Sequence, residues 1–279
     1  MIRTTLMVAF AGFLSLALPA GAQTARTPVS DETQLPRVSY PMPTPPSAFL
    51  TASDASFAPF LASVEADVAK TLATYDIQDK ATLRDYLATQ LAGNLLNGDA
   101  AAVRTSVAQL RAAETKAASA LLAGRLQLAS LSGATGFAAA DRAAVDVLPW
   151  NVVGDSVKAM AGFEPVLTRD AIAGGVAHDL DSIAAKTGTL DGPSARELVQ
   201  RRAQLLLLPY YPQDADILAT YIAKHNVTKP DIWGTRDVTL SSSQIKAPVL
   251  IGILDSGVDP HDYGALMYGG ATAAQHGLA

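Results

Sequence analysis

The run Val249-Leu250-Ile251-Gly252-Ile253-Leu254-Asp255-Ser256-Gly257-Val258-Asp259 decides how the C-terminal part of this chain is read. Six largely apolar residues, Val249 to Leu254, stand between Pro248 and an Asp-Ser-Gly turn. A short continuous apolar run of this kind, bounded by turn signals, predicts a strand buried on both faces rather than an amphipathic one. Asp255 then falls at the strand's C-terminal end, where open α/β sheets place their ligands and reacting groups. The strand is the scaffold and Asp255 the candidate catalytic group.

These residues resemble the aspartate box of the subtilisin-like serine proteases, in which an apolar strand runs into Asp-Ser/Thr-Gly-Ile/Val. Asp255, Ser256, Gly257 and Val258 match it directly, and Asp259-Pro260-His261-Asp262-Tyr263 is a distorted form of the family's following His-Pro-Asp-Leu segment. The resemblance covers Asp231 onward, and Trp233 with its polar loop is consistent with the family's entry into this strand. It implies a Ser-His-Asp triad in which Asp255 accepts a hydrogen bond from the histidine Nδ1–H, fixing the tautomer and stabilising imidazolium. Gly257 would let the backbone turn sharply there. A strand-ending Asp that caps a turn is the plain alternative.

The family's chain order is Asp, His, Ser. Its His-Gly-Thr-His and Gly-Thr-Ser-Met-Ala boxes do not occur in the 279 residues. His276-Gly277-Leu278 is similar to the His-Gly-apolar segment that precedes the histidine box in family members, and His261 follows Asp255 too closely to be the base. The expectation is therefore the N-terminal part of an exported serine endopeptidase, inactive as it stands, whose tail beyond Leu240 is poorly ordered or packed on the helices. Its substrate would be a peptide or protein. No organic cofactor is implied, and no calcium-ligand loop is recognisable. Retroviral-type aspartic proteases also use Asp-Ser/Thr-Gly, but pair two such carboxylates within β-rich sequence, whereas the approach to Asp255 is helical.

Outward from the motif, residues 1–22 read as a signal peptide: Arg3, an apolar stretch from Leu6 to Leu18, and Ala20-Gly21-Ala22 before Gln23. A periplasmic or extracellular protein, free of the membrane after cleavage, follows. The sequence contains no cysteine, which removes thiol nucleophiles and thiolate metal sites. Its net charge of -5, with no cluster of Lys and Arg, argues against a nucleic-acid partner.

Residues 23–47, with Pro28, Pro36, Pro41, Pro43, Pro45 and Pro46 among Thr, Ser and charged residues, predict an extended, disordered linker. Residues 48–226 predict a bundle-like helical domain. Ser53 or Asp54 caps a helix through Tyr75, and Asp79 caps a second through Leu96, ended by Asn97-Gly98. Asp99 to about Leu131 reads as one helix with Val103, Val107, Leu110, Ala117 and Leu121 on its apolar stripe. Ser132 to Gly136 breaks the run, and Val145 to Val153 reads as irregular, with room for a short strand. Helices follow over Thr168–Lys186, Ser194–Leu208 and Ala215–His225. No repeat period of a tetratricopeptide scaffold is present, nor the alternating strands of the subtilases' α/β propeptide.

Residues 227–279 begin a new texture and are read as the start of the catalytic domain. The fold class is thus mainly α, followed by the start of a subtilisin-like α/β domain. The reading from another class is a periplasmic helical interaction or scaffold protein. His178 and Asp181 share a helix face without a third metal ligand, and His225 sits where a helix C-terminus favours it. Each reads as structural or solvated.

Overall fold

A computed structural model of the chain describes residues 26–225 together with Val227, Ser241 and Ser243. The chain divides into two compact units, Met1–Asn226 and Val227–Ala279. The expected signal peptide, the strand carrying Asp255, Trp233, His261 and His276 lie outside the described residues, as does the expected weak order beyond Leu240 except at Ser241 and Ser243.

The first unit is mainly helical. In chain order it contains β1 (Thr27–Val29), β2 (Ser39–Pro41), α1 (Pro46–Leu50), α2 (Asp54–Thr74), β3 (Tyr75–Ile77), α3 (Lys80–Leu96) and α4 (Ala100–Ala113). There follow α5 (Ala117–Leu122), α6 (Arg125–Ser130), α7 (Gly133–Asp146), α8 (Trp150–Phe163), α9 (Arg169–Val176), α10 (Ser182–Thr187), β4 (Thr189–Asp191), α11 (Gly192–Leu207) and α12 (Tyr211–His225). A single turn over Glu164–Val166 follows α8, and a π-helical turn over Ala177–Asp181 joins α9 to α10.

Short polar side chains at the helix starts satisfy orphaned backbone donors. Ser53 accepts from the amide of Ser56, Asp79 from Thr82 at 2.7 Å, Thr168 from Ala171 and Asp191 from Ser194. Asn97 ends α3, followed by Gly98 at φ +70°, the left-handed stop expected of Asn-Gly.

The Pro-rich stretch departs from the expected linker over residues 26–47. β1 pairs in parallel with β3, Val29 opposite Ile77, and β2 pairs antiparallel with β4, Tyr40 opposite Leu190. Val29, Leu35, Tyr40, Met42 and Pro46 are buried. Two-stranded ribbons leave edges on which proline's missing donor is tolerated, and Pro46 opens α1, where that donor has no helical partner. Scattered apolar residues between the prolines hold the segment down: Tyr40 packs edge-on to Phe60 of α2 and donates its hydroxyl to Asp67 at 2.7 Å.

The expected single helix from Asp99 to Leu131 is instead α4, α5 and α6. Extended backbone at Glu114 and Lys116 ends the first, and Ala123 with Gly124 at φ +69° ends the second. Val103, Val107 and Leu110 are buried as the stripe requires, whereas Leu121 is exposed. Ser132 does break the chain, but Gly133 to Gly136 enters the first turn of α7. The stretch expected to be irregular is helical apart from a turn at Val147 to Pro149. α12 starts at Tyr211, ahead of the expected Ala215.

Three apolar clusters result among the described residues. The largest joins the N-terminal segment to α2 and α9 to α11 around Phe57, Val64, Leu190 and Leu198. α3 and α4 close a second around Leu91, Val103 and Val107. α7, α8 and α12 close a third around Val145, Val153, Leu218 and Tyr221. If residues 26–47 belong to the folded core, Tyr40→Ala lowers unfolding free energy by about 3–5 kcal/mol, as deletion of a buried aromatic does. Urea unfolding checks this; a change within about 0.5 kcal/mol is what a solvated linker would give.

Candidate functional site

Among the described residues of the first unit, a dense group of charges is enclosed around Arg125. Gly124, in the left-handed region, turns the chain from α5 into α6 and brings Arg125 inward as the first residue of that helix. A Cβ at Gly124 would lie 2.4 Å from Cγ2 of the buried Val107, so the turn is pressed against α4 as well as left-handed. Arg125 donates two parallel hydrogen bonds to Asp214, Nη1 to Oδ1 and Nη2 to Oδ2, both at 2.6 Å, and Nη1 also donates to Asp141. The paired fork on one carboxylate is the geometry in which arginine binds most specifically.

Asp141 comes from α7, Asp214 from α12 and Glu164 from the turn after α8, so four segments converge. Arg125 is 3% exposed, Glu164 4%, and Asp141 and Asp214 are wholly enclosed. Asp141 and Asp214 lie on the apolar stripes of their own helices: Phe137, Asp141 and Val145 are buried at four-residue steps, as are Asp214, Leu218 and Tyr221 at steps of four and three. An acidic residue on an apolar stripe is the sequence signal that would have marked both; Glu164 and Arg125, at a turn and a helix start, offered none.

Three carboxylates face one guanidinium. Full ionisation would leave two uncompensated negative charges in the interior, which is costly unless protons are taken up. Burial pushes the Glu164 carboxyl up to about 9, with hydrogen bonding to Asp214 and its charge adding to the shift. Burial likewise pushes Asp141 up to about 7 against the opposing pull of Arg125. For Asp214 burial acts upward too, but hydrogen bonds from Arg125 and then Glu164 outweigh it and hold the carboxyl below its ordinary range. Glu164 Oε2 and Asp141 Oδ2 have no hydrogen-bond donor, the arrangement expected where a bound proton joins two carboxylates. Below about pH 7 the ionised pair is thus Arg125 and Asp214, with Asp141 and Glu164 carrying protons beside Asp214.

A cleft of about 1060 Å³ opens on the same unit, lined by Glu32, Asp85, Arg196, Gln200, Arg201 and Tyr211 among others. Its polar groups are largely committed to one another. Arg196 donates to Asp85 and Glu32, both at 2.5 Å, and its guanidinium lies 4.1 Å from the Tyr86 ring centre. Gln200 bridges Asp85 and Thr89, and Arg201 pairs with Glu197. This network fastens the N-terminal segment to α3 and α11. Tyr211 connects the cleft with the charge centre: burial raises its hydroxyl pKa, and Glu164 and Asp214 act in the same direction.

Asp255, the expected catalytic residue, lies outside the described residues. His178 is exposed in the π-helical turn, 4.0 Å from Asp179, while Asp181 accepts from the amide and hydroxyl of Ser47. The sequence pair is therefore split between solvent and α1. Among the described residues no group of three His, Asp or Glu is placed to hold a metal ion. His225 stacks on Trp150 with ring centres 5.7 Å apart and packs against Tyr221 at 4.5 Å.

Removing the cation strands Asp214 without a counter-charge, so Arg125→Met destabilises the unit by about 3–5 kcal/mol in urea unfolding. Gly124→Ala combines left-handed strain with overlap on Val107 and costs about 2–4 kcal/mol, whereas Gly188→Ala, at φ +71° in open space, costs about 1–2 kcal/mol. Equal losses at the two glycines would contradict the tight turn. No protein-family model, curated protein or solved structure matches the chain.

Proposed function

We propose that the chain is the N-terminal part of an exported subtilisin-like serine endopeptidase, with Asp255 as its triad aspartate and the helical unit as a non-catalytic module ahead of the catalytic domain. The observation that carries the reading is the apolar run Val249 to Leu254 delivering Asp255-Ser256-Gly257-Val258. Supporting it, the buried arginines of the helical unit are committed to neighbouring acids, in the Arg125 centre and the Arg196 network. Their chemistry is that of packing. The substrate is a peptide or protein, without a cofactor, and the histidine and serine of the triad belong to boxes that the 279 residues do not contain. No helix among the described residues is long and apolar enough to cross a membrane.

The cleft of about 1060 Å³ favours a second reading, a helical module that binds a partner without catalysis. The two separate when the chain is expressed together with whatever its gene encodes after Ala279. The peptidase reading expects His-Gly-Thr-His and Gly-Thr-Ser-Met-Ala boxes, labelling by a fluorophosphonate, and peptide hydrolysis whose kcat falls about 10⁴-fold in Asp255→Ala. Residues 1–279 alone hydrolyse nothing. Absence of labelling, or an Asp255→Ala variant of undiminished rate, contradicts the assignment.

A further inference from the structure

The Arg125 centre joins four segments through groups whose charge depends on bound protons. α12 supplies Asp214 and Tyr211 and ends at His225, beside the boundary between the two units. Its other anchors in this region are the apolar contacts of Ile217, Leu218 and Tyr221 with Val145, Val153 and Val157, the Tyr221 hydroxyl donated to the Leu148 carbonyl, and the exposed Lys224–Asp146 pair. Within the centre, α12 is held by one fully ionised contact, Arg125 with Asp214, and by two acids that face Asp214 and can only attract it while protonated.

We propose that this centre is a proton-operated latch on α12, closed while Glu164 and Asp141 hold protons directed at Asp214 and loosened when those protons are lost. The inference goes beyond the peptidase reading and stands whether or not Asp255 is catalytic. The geometry itself calls for the protons: one guanidinium against three enclosed carboxylates leaves a deficit that no other cation among the described residues fills. On α7, α8 and α12 the remaining charged side chains are exposed, namely Arg142 and Asp146, Asp155 and Lys158, and Asp216 and Lys224; on the helices packed against α6, the half-buried Arg111 of α4 donates to the Ala123 carbonyl and Arg201 of α11 pairs with Glu197. Lys158 lies over the Trp150 ring, Lys224 faces Asp146, and His225 is held in the Trp150 and Tyr221 stack. The uncharged Tyr211 hydroxyl is the other titratable group beside Glu164 and Asp214.

The direction follows from linkage. Glu164 and Asp141 have folded-state pKa values raised above their ordinary ones, so their contribution is complete at acid pH, below those ordinary values. It drains as pH rises, and is gone once pH passes about 7 for Asp141 and about 9 for Glu164. Asp214, held low, contributes above the ordinary carboxylate range and is lost only as pH falls through its depressed folded value. The latch is therefore tightest in mildly acid solution and loosest in alkali.

The test is amide hydrogen exchange of α12 in the full chain, comparing wild type with Glu164→Gln at each pH so that intrinsic exchange cancels. Gln has the shape and the donor of the protonated acid without its titration. Equal protection of α12 is expected at pH 5, and by pH 9 protection at least about tenfold weaker in wild type than in Glu164→Gln, since linkage permits up to tenfold per pH unit. Asp141→Asn keeps a donor in the same way, carries the same comparison with its divergence complete near pH 7, and serves where Glu164→Gln does not fold. Protection profiles for wild type and variant that run in parallel from pH 5 to pH 9 overturn the latch.

Discussion

One guanidinium sealed among three carboxylates sets the conditions under which the α6, α7 and α12 part of this protein can pack. Arg125 cannot leave the interior without stranding Asp214, and the three acids cannot all ionise without an interior deficit of charge. The way out is the uptake of protons by Glu164 and Asp141, which turns mutual repulsion into hydrogen bonding at Asp214. Everything that brings Arg125 to that point then matters. The left-handed turn at Gly124 aims α6 inward, Val107 backs the turn from α4, and the Phe137 and Tyr210 rings, 4.5 Å apart, pack between α7 and the entry to α12.

A second buried arginine organises the other end of the unit by a different route. Arg196 reaches Glu32 and Asp85, whose side chains are partly open to solvent, and its flat face covers Tyr86. Two acids share one guanidinium there, with solvent reaching both carboxylates. The first centre is sealed from solvent, whereas the second is a partly open fastening for the Pro-rich segment.

Much of the helical order was legible in local chemistry. Ser53, Asp79 and Thr168 announce helix starts because a short side-chain oxygen can reach a backbone amide two or three residues on, and Asn97-Gly98 announces a stop. Local chemistry failed where long-range contacts decide. The prolines of residues 26–47 suggest solvation, but Tyr40, Met42 and Leu35 find apolar surface on helices far away in sequence. The continuous stripe from Val103 to Leu121 suggests one helix, yet Gly124 and the extended Glu114 to Lys116 link redirect the chain once the second cluster is filled. Of the charge centre, Asp141 and Asp214 were visible as acids on apolar stripes; the convergence with Arg125 and Glu164 is a property of the packing. Asp255 is legible only as a motif, since it lies outside the described residues.

The functional account separates two kinds of acid in one chain. In the proposed peptidase Asp255 must be ionised to steady an imidazolium. Glu164 must be neutral, and sits in an enclosed turn that penalises its charge. The most direct check on the latter is carbon-13 NMR of the side-chain carboxyls of the full chain, with Glu164 assigned by comparison with Glu164→Gln. The account predicts the shift of a protonated acid at pH 7, moving to that of a carboxylate only near pH 9. A Glu164 resonance already at the ionised position at pH 6 would contradict it.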